Sequence, residues 1–493
     1  MQPIAMPWRP LLFIGLMFTA ARTAAALESP LAAVDLSIGE TATVRLPDGS
    51  DARVRLVSVE EQRDNIRDAV RKAVVTVEVN GESQTLVSGN YRLPVRVGQV
   101  QIDCPITGGY NRNGTKASWG LDKDARIRLW PGDAPWIQPG TFVYPIQQRW
   151  FASATQMSNE PTYVDGGEPA SRRSIYYHSG LDIGGSEGQT EVVAATDGLV
   201  VSVGDTVLDE FRRDTPVAAR YDVVYIRDAR GWFYRYSHLH TIDTAIAPGR
   251  VVTMGDRIGL LGKEGGSGGW SHLHFEIKSR QPSGQWGTQE GYAFLWQAYR
   301  QQYEPEILAV ARPHHLLRAG EELDLDGSRS WSAAGPIRDF RWTFSDGSTG
   351  VGASVQRRYD RPGMFSEILE VRDAAGRRSY DFTIVQVHDP EHPDVTPPTI
   401  HPAYFPTQNL RPGQPITFKV RSFGTQQGEE VWDFGDGTPS VRVRSDGNAK
   451  VHAPDGYAVT THQYSRPGQY LVRVERVGAD YPAIGHLLVE IGE

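Results

Sequence analysis

The sequence predicts a mostly β protein with several domains, and three observations lead to this prediction. Short runs of alternating apolar and polar residues are separated by turns rich in glycine and proline, of which the chain has 51 and 32. The 493 residues exceed what one hydrophobic core organises, and a length prior allows about three or four domains. One set of landmark residues occurs twice near the end of the chain, which indicates two copies of one module.

The overall charge argues against nucleic acid as a partner. The formal net charge is −8 and the isoelectric point lies near 5.9. A protein that binds a phosphate backbone needs a basic stripe that displaces counterions. Hydrophobic residues make up 39% of the chain and charged residues 22%, a balance that excludes wholesale disorder.

Residues 1–26 have the features of a signal peptide. Arg9 supplies a positive charge, residues 11–21 form an apolar run, and three consecutive alanines provide a cleavage site. Arg22 interrupts the apolar run well short of the ~20 residues that cross a bilayer, and no comparable run recurs. We therefore expect a soluble mature chain that starts near Leu27, has no transmembrane segment and is secreted or periplasmic.

The only cysteine, Cys104, cannot form a disulfide within the chain. The favoured interpretation is a buried small hydrophobe, and pairing with a second molecule is the alternative. Stability in an oxidising compartment must therefore come from packing, from a metal or from both.

Turn signals divide the part of the chain before the repeat into two domains. Residues 27–140 show alternating runs broken by Asn-Gly and Ser-Gly-Asn turns, which predict a small β domain. Its segment 60–73 has near-helical spacing and is compatible with one helix. Residues 141–302 hold five of the thirteen histidines and end in an aromatic, helix-compatible segment at 292–303. This central domain is the candidate for chemistry.

The repeated module fills the C-terminal part of the chain. Trp-Thr-Phe-Ser-Asp-Gly at 342–347 is echoed by Trp-Asp-Phe-Gly-Asp-Gly at 432–437, and a Tyr-x-Arg-Pro-Gly motif follows in both copies. The two copies are predicted to span residues 303–389 and 403–493. A proline-rich stretch at 390–402 is the predicted linker between them.

Two motifs of the central domain provide the ligands that an open zinc site needs. A zinc ion that keeps one position for water takes three protein ligands, for which histidine and carboxylate are suited. In a strand-like run, His272, His274 and Glu276 project from one face, because side chains alternate along a strand. His178 and Asp182 flank a Ser-Gly turn that could bring their side chains together.

Each motif by itself also has a plain structural interpretation. A His-x-His pair occurs by accident on exposed strand faces, and an aspartate after a turn often bonds to backbone. A further pair, His238 and His240, ends another β-rich run and would share one strand face. Taken together, the three motifs favour a metal site over coincidence.

These motifs also carry a family resemblance. Residues 141–278 resemble the lysostaphin-type, or LytM-type, zinc metallopeptidases. The resemblance implies an antiparallel β-sheet peptidase domain with an open groove and one Zn²⁺. It rests on four motifs in order: His-x-x-x-Asp at 178–182, Tyr-x-His-Leu at 236–239, Gly-Asp-x-Ile-Gly at 255–259 and His-Leu-His-Phe-Glu at 272–276.

The resemblance implies a role for each site residue. His178, Asp182 and His274 bind the zinc ion, and His238 and His272 stand beside it as catalytic groups. The implied reaction is endopeptidase hydrolysis by a zinc-activated water that the two histidines assist. The chain has no His-Glu-x-x-His sequence, so no glutamate takes the usual place of the general base. His272 is the favoured general base and His238 the favoured partner of the oxyanion or leaving amine, although the roles could be exchanged.

The implied substrate is the peptide part of peptidoglycan, in stem peptides or cross-bridges, or another extracellular peptide. Trp270 and Ser271 stand where the family usually has Gly-Pro, and His240 replaces a common serine, so the groove is expected to differ in shape. His240 could compete for the metal, but a solvent-exposed role is favoured. Glu276 shares the ligand face and could orient an imidazole, but a surface glutamate is the favoured interpretation. The glycine-rich stretch at 262–269 is expected to form a mobile wall of the cleft.

The repeated module resembles the polycystic kidney disease (PKD) domain, an immunoglobulin-like β-sandwich. The resemblance rests on Trp-x-Phe-x-Asp-Gly followed by Tyr-x-Arg-Pro-Gly in both copies. It implies extracellular adhesion, spacing or binding, with a glycan or a protein as the ligand. Turn formation is the favoured role of four aspartates that could also donate oxygens to Ca²⁺: Asp324, Asp326, Asp346 and Asp436.

Three functional hypotheses follow from these resemblances. The favoured one is a working zinc metalloendopeptidase, a hydrolase, because all five metal and catalytic positions are filled. The first alternative is a metal-free LytM-like regulatory or cell-wall-binding protein without hydrolytic activity, although such proteins typically lack one or more of these residues. The second alternative is an adhesion protein, which tight binding of a glycan or protein by the sandwiches would support.

Overall fold

The structure is a computed structural model that describes residues 27–160 and 175–493. The predicted signal peptide lies outside the described residues. Strands dominate the described part of the chain, which confirms the prediction of a mostly β, multidomain protein. None of the helices in these two ranges is long and apolar enough to cross a membrane.

The N-terminal domain consists of two four-stranded sheets that share one core. Its elements are β1 Ala32–Leu36, β2 Thr41–Arg45, β3 Asp51–Arg63, β4 Val70–Val79, β5 Glu82–Val87, β6 Val95–Val97, β7 Val100–Thr107, the helix α1 Gly108–Asn113 and β8 Ala125–Pro131. The sheets have strand orders β1-β8-β7-β6 and β2-β3-β4-β5. Alternate residues of both sheets meet in the core, among them Val54, Val77, Ile102 and Leu129. Cys104 lies in the same core, and burial raises the pKa of its thiol to about 12, which confirms the buried hydrophobe.

The prediction that residues 60–73 are compatible with a helix is wrong. β3 and β4 cover the two ends of this segment and pair with each other antiparallel. The turn between them is stabilised by Asp64, whose Oδ1 accepts hydrogen bonds from the backbone amides of Ile66 and Arg67. Buried and more exposed residues largely alternate along the two strands, as expected for β structure. The near-helical spacing of apolar residues at 60–73 arises because the segment includes the turn between the strands.

The central domain is built on one large antiparallel sheet. Its elements are β9 Thr155–Gln156, β10 Leu181–Gly184, β11 Glu191–Val193, β12 Gly198–Val203, β13 Thr206–Val207, a 3₁₀ turn at Asp209–Phe211, β14 Val224–Arg227, β15 Phe233–Ser237, β16 Leu239–Ile242, β17 Val251–Val252, β18 Arg257–Leu261, β19 His272–Arg280, β20 Trp286–Gln289 and the helix α2 Tyr292–Tyr303. The sheet has strand order β13-β12-β14-β15-β19-β10-β9, with β17 beside β12 and β20 beside β19. A smaller sheet, β11-β18-β16, lies in the same domain.

The predicted helix at 292–303 is confirmed as α2. Phe294, Leu295 and Trp296 are buried and share a hydrophobic core with Tyr234 and Phe275 from β15 and β19. The helix therefore covers one face of the sheet, because residues at odd and even positions of a strand point to opposite faces. His272 and His274 lie on the opposite face of β19.

Two β-sandwiches follow, as the repeat predicted. The first contains β21 Ile307–Leu308, β22 His315–Arg318, β23 Glu322–Asp326, β24 Trp331–Ser332, β25 Ile337–Thr343, β26 Thr349–Val351, β27 Ser354–Arg358, β28 Gly363–Asp373 and β29 Arg378–His388. The second contains β30 Thr399–Phe405, β31 Ile416–Phe423, β32 Glu429–Asp433, β33 Val441–Val443, β34 Ala458–His462, β35 Gly468–Val477 and β36 Ala483–Ile491. The repeated landmarks Trp342, Trp432, Tyr359 and Tyr464 are all buried in the cores. β30 starts at Thr399, so strand structure begins before the end of the predicted linker.

One sheet runs through both sandwiches. β28 of the first pairs parallel with β36 of the second where Met364 faces Ala483, which gives the order β22-β29-β28-β36-β35-β32-β33. The backbone amide of Met364 also donates to the carbonyl of Pro482 at 2.9 Å. In the turns of the two modules, the carboxylates of Asp346 and Asp436 accept hydrogen bonds from residues two positions ahead, which is the predicted turn role.

A buried carboxyl, Glu160, joins three parts of the molecule and predicts a pH dependence of stability. Its oxygens accept hydrogen bonds from the Tyr91 hydroxyl (2.6 Å) and from the backbone amides of Met157 (2.8 Å) and His314 (2.6 Å). Burial raises the pKa of Glu160 from 4.5 to about 7 although these bonds oppose the shift. Because the folded pKa is the higher one, the stabilisation is complete below pH 4.5 and is lost as the pH rises through about 7.

We expect this group to contribute about 3 kcal/mol to the change in unfolding free energy across that window. Urea unfolding at a series of pH values should show the decline in the parent chain and a flatter profile in Glu160→Gln. The exposed Glu60→Gln serves as the control and should follow the parent. Equal slopes in the parent and Glu160→Gln would contradict the prediction.

Candidate metal centre and active site

The register of three strands brings the predicted ligands to one place. β10 pairs antiparallel with β19 so that Asp182 lies directly opposite His274. β15 pairs with the other edge of β19, and its Ser237 also faces His274. His178 precedes β10 by one turn, at Ser179 and Gly180, which brings its ring back over Asp182. Strand pairing therefore brings Asp182 to His274, and the short turn brings His178 to Asp182.

His178, Asp182 and His274 form a compact buried trio. His178 Nε2 lies 3.0 Å from Asp182 Oδ1, and His274 Nδ1 lies 2.8 Å from the same oxygen. The two ring nitrogens are 3.1 Å apart. One ligand atom of each residue lies within 4.8 Å of the others, and all three residues are buried. The structure thus brings together the three residues predicted as metal ligands.

The trio fits a divalent cation such as zinc. Its donor atoms are two imidazole nitrogens and one carboxylate oxygen, the usual set for a zinc ion that keeps a position for water. Bonds of about 2.0–2.1 Å in a tetrahedral site place ligand atoms about 3.3 Å apart, close to the separations of 2.8–3.1 Å in the trio. Small movements would therefore suffice to hold an ion.

The electrostatics of the trio favour an ionised carboxylate. Burial alone would raise the pKa of Asp182, but the charge of the facing His178 and hydrogen bonds from His178 and His274 hold it well below its usual range. Burial lowers the pKa of His178, and the charge of Asp182 overcomes this and raises it. A buried carboxylate that keeps its charge is suited to bind a cation.

The two candidate catalytic histidines lie beside this trio. The ring centroid of His238 is 4.6 Å from that of His272 and 5.9 Å from that of His274. His272 Nε2 is 3.4 Å from Asp182 Oδ2. His238 has a φ of 66°, a backbone conformation rare outside glycine, and lies between the end of β15 and the start of β16. His238 and His240 therefore do not share one strand face, which corrects the sequence prediction.

Hydrogen bonds define which nitrogen of each histidine is free. His238 Nδ1 lies 2.6 Å from the Glu264 carbonyl oxygen, and His272 Nδ1 lies 3.1 Å from the Trp270 carbonyl oxygen. A carbonyl only accepts, so both Nδ1 atoms carry the proton and both Nε2 atoms keep a lone pair. Burial lowers the pKa of His238 and lowers that of His272 further. Both rings are thus neutral proton acceptors.

Sequence patterns missed the groups that hold His238. Asp222, which is buried just before β14, accepts a hydrogen bond from the His238 backbone amide at 2.9 Å and faces its Nδ1 at 3.5 Å. Arg220 binds both oxygens of Asp222. Burial alone would raise the pKa of Asp222, but hydrogen bonds to His238 and Arg220 hold it below its usual range. The sequence signal, an Arg-Tyr-Asp before a strand, has no distinctive spacing to the histidine.

On the peptidase activity that the resemblance implies, we expect Asp222→Asn to lower kcat/KM by about 10–100-fold with a metal content equal to that of the parent, because carboxylates that orient site histidines have effects of this size. Initial rates on a peptide substrate and metal analysis check the result. Asp209→Asn is the control, since Asp209 is also paired with an arginine but is exposed. Unchanged kcat/KM in Asp222→Asn would show that this carboxylate does not position His238.

The structure shows the surroundings of Glu276 and His240, whose roles the sequence left open. Glu276 is buried, so the surface interpretation is wrong; its Oε2 lies 3.9 Å from His274 Nε2, and Lys278 and Thr288 bind its Oε1. His240 is partly exposed and lies 3.8 Å from Glu187, apart from the trio. Lys263 is ion-paired with the same glutamate.

A cavity of about 330 Å³ opens onto the trio and both histidines. It is lined by side chains from the N-terminal and central domains, including Lys116, Gln156, Tyr176, Arg220 and Arg235. Gly266 and Ser267 of the glycine-rich stretch and the adjacent Trp270 form one wall. The site is therefore a polar cleft with neutral imidazoles and a candidate metal centre at its floor.

Comparisons with known proteins agree with this geometry. The model described as peptidase family M23 matches residues 176–285, which contain all five histidine and aspartate positions of the site. The chain carries an M23 peptidase domain. Models described as PKD domain match residues 304–387 and 404–477, in the two sandwiches. The central domain is therefore called the M23 domain below, and the sandwiches are called the first and second PKD domains.

Solved structures resemble parts of the chain. A mutant catalytic domain of the prophage-encoded M23 protein EnpA from Enterococcus faecalis is 21% identical, with 31% of this chain and 92% of that chain covered and a TM-score of 0.19. Csd3 from Helicobacter pylori is 13% identical, with coverages of 55% and 81% and a TM-score of 0.20. The fibronectin(III)-like modules of Clostridium thermocellum CbhA are 13% identical, with coverages of 38% and 93% and a TM-score of 0.15. No curated protein sequence matches at a significant level.

Proposed function

We propose that the M23 domain is a zinc-dependent endopeptidase that cuts peptide bonds in the stem peptides or cross-bridges of bacterial peptidoglycan. The observation that supports it most directly is the meeting of His178 Nε2, Asp182 Oδ1 and His274 Nδ1 at 2.8–3.1 Å. The M23 match supports a peptidase. Zinc, the peptidoglycan substrate and export are part of the proposal.

In the proposed mechanism His178, Asp182 and His274 would hold the zinc ion. When bound, zinc acts as a Lewis acid that polarises the scissile carbonyl and lowers the pKa of water to about 7. Asp182 keeps its charge in the buried site and so supplies the negative ligand. Glu276, near His274 Nε2, helps to orient this ring.

The two remaining histidines move the protons. His272 Nε2 accepts a proton from the attacking water, since its Nδ1 is already occupied by the Trp270 carbonyl. His238, held through Nδ1 by the Glu264 carbonyl, takes a proton from solvent at Nε2 and uses this N–H to stabilise the oxyanion or to protonate the leaving amine, and His272 returns the proton of the water to solvent. Both rings lie beside the trio, so the two roles could also be exchanged.

The location of the enzyme is part of the same proposal. Residues 1–26 serve as a signal peptide that exports the chain, and the PKD domains act outside the cytoplasm, with a glycan or a protein as ligand. Peptidoglycan lies in the compartment that this export reaches. An exported peptidase with a polar cleft can therefore meet its substrate directly.

The test is to purify the mature chain, measure its metal content and follow the clearing of a peptidoglycan suspension. We expect about one zinc ion per chain, clearing that a chelator stops and added zinc restores, and new amino groups in the released peptides. A parent chain that binds no metal and releases no amino groups would refute the peptidase proposal and favour a regulatory or binding protein.

A further inference from the structure

A loop between β18 and β19 forms a wall of the active-site cleft. This cleft loop, residues 263–271, contains four glycines, of which Gly265, Gly268 and Gly269 have positive φ. Its base is closed by a hydrogen bond from the His272 amide to the Gly262 carbonyl at 3.0 Å. Glycine-rich backbone has large conformational freedom, so such a loop needs external contacts to stay in one conformation.

The cleft loop sets the orientation of both candidate catalytic histidines. Its Glu264 carbonyl accepts the hydrogen bond from His238 Nδ1, and its Trp270 carbonyl accepts the one from His272 Nδ1. The indole of Trp270 also stacks on the imidazole of His272, with centroids 3.8 Å apart and planes at 21°. A shift of the loop would therefore move or free both rings.

The second PKD domain holds this loop by its backbone. Three side chains donate to carbonyl oxygens of the loop, and a fourth accepts from an amide. The bonds are Arg421 Nη1 to Gly269 (2.6 Å), Asn448 Nδ2 to Gly268 (3.0 Å), His452 Nε2 to Gly265 (2.8 Å) and the Ser271 amide to the Tyr457 hydroxyl (2.8 Å). The expected mobile wall is thus fixed at four backbone groups by one neighbouring domain.

The holding side chains are themselves fixed, and the contact is close. Arg421 is fully buried and binds both oxygens of Asp446 at 2.8 and 2.7 Å. A Cβ at Gly269 would come within 2.2 Å of Asn448 Oδ1, so the loop fits against this domain only with glycine at that position. Trp270 is part of the hydrophobic core of the second PKD domain, and its ring meets His401 edge to face at 5.3 Å.

We propose that the second PKD domain is a structural part of the active site, in which Arg421, Asn448, His452 and Tyr457 act as positioning residues for His238 and His272. The proposal rests on the peptidase function proposed above. These residues do not touch the trio; they act through the cleft loop. Misplacing a catalytic group by 1 Å can cost about a hundredfold in rate, so releasing the loop should lower kcat.

The test is the double variant Asn448→Gly/His452→Ala in the full chain. Asn448 has a φ of 60°, which glycine adopts freely, and His452 is exposed, so both changes remove a donor without straining the fold. The matched control is Asn409→Gly/His392→Ala, because Asn409 has a φ of 54° and His392 is exposed, both away from the cleft loop.

We expect the double variant to lose about tenfold or more in kcat with KM changed by less than about twofold. Its metal content and melting temperature should equal those of the parent. Amide hydrogen exchange of residues 263–271 should be faster than in the parent and in the control. His452→Gln, which keeps an N–H donor, should stay closer to the parent than His452→Ala does.

Each contrary outcome has a distinct meaning. An active parent whose double variant shows faster loop exchange and an unchanged kcat would overturn the positioning role alone. An unchanged loop exchange in the double variant and in the single variant Tyr457→Phe would also overturn it, because the loop would then not depend on this domain. A parent that holds metal but cleaves no peptide would refute the peptidase function, and the positioning proposal with it.

Discussion

Replacing Asp182 by asparagine is expected to release the metal and to lower kcat/KM by about a thousandfold or more. Asp182 Oδ1 is the oxygen shared by His178 and His274 at 3.0 and 2.8 Å. The amide keeps the shape of the carboxylate but removes the negative charge that the buried site maintains. Lewis-acid stabilisation of several kcal/mol corresponds to about three powers of ten in rate. Metal analysis and initial rates on peptidoglycan check the two effects.

The matched control is Asp205→Asn, an exposed aspartate of the same domain that lies outside the trio. It should keep the metal content and the rate of the parent. If Asp182→Asn also kept both, Asp182 would not be a ligand. If it kept the metal and lost the rate, its role would lie in proton transfer and not in metal binding.

Replacing His272 by alanine is expected to lower kcat by about 10²–10⁴-fold while the metal stays bound, because a positioned general base contributes an effect of this size. His272 Nε2 faces the free carboxylate oxygen Asp182 Oδ2 at 3.4 Å and is not one of the three donor atoms. The same measurement on His238→Ala tests the other histidine. Metal analysis and single-turnover rates give the readout.

The relative effects of the two variants distinguish their roles. If His272 is the base, His272→Ala should be the less active variant, and added imidazole should restore part of its rate. A larger loss and a stronger rescue in His238→Ala would exchange the two roles. Loss of metal from either variant would instead place that histidine among the ligands and contradict the assignment to the trio.

Much of the fold and of the candidate site could be predicted because short sequence patterns indicate the local structure. The alternation in His272-Leu-His274 specifies a strand with both rings on one face, and the structure has β19 there. The aromatic segment at 292–303 is the helix α2. The duplicated tryptophans mark equivalent buried positions in the two PKD domains. In each case the signal lies within a few neighbouring residues.

The features that could not be predicted depend on contacts between distant segments. Asp222 reaches His238 only because β14 and β15 pair, and no spacing rule reveals which aspartate does so. The cleft loop is fixed by Asn448, which lies 180 residues further along the chain. The helix prediction for residues 60–73 failed for a different reason. This segment contains a turn between two paired strands, and its apolar residues happen to have near-helical spacing.

The pairing of β28 with β36 has a mechanical consequence. Bending the two PKD domains against each other would break backbone hydrogen bonds where Met364 faces Ala483 and Pro482, so the pair resists hinging. Through this pairing the first PKD domain is joined to the domain that supports the cleft loop. An attachment made on the first PKD domain would therefore limit the orientations in which the candidate catalytic histidines can meet a surface.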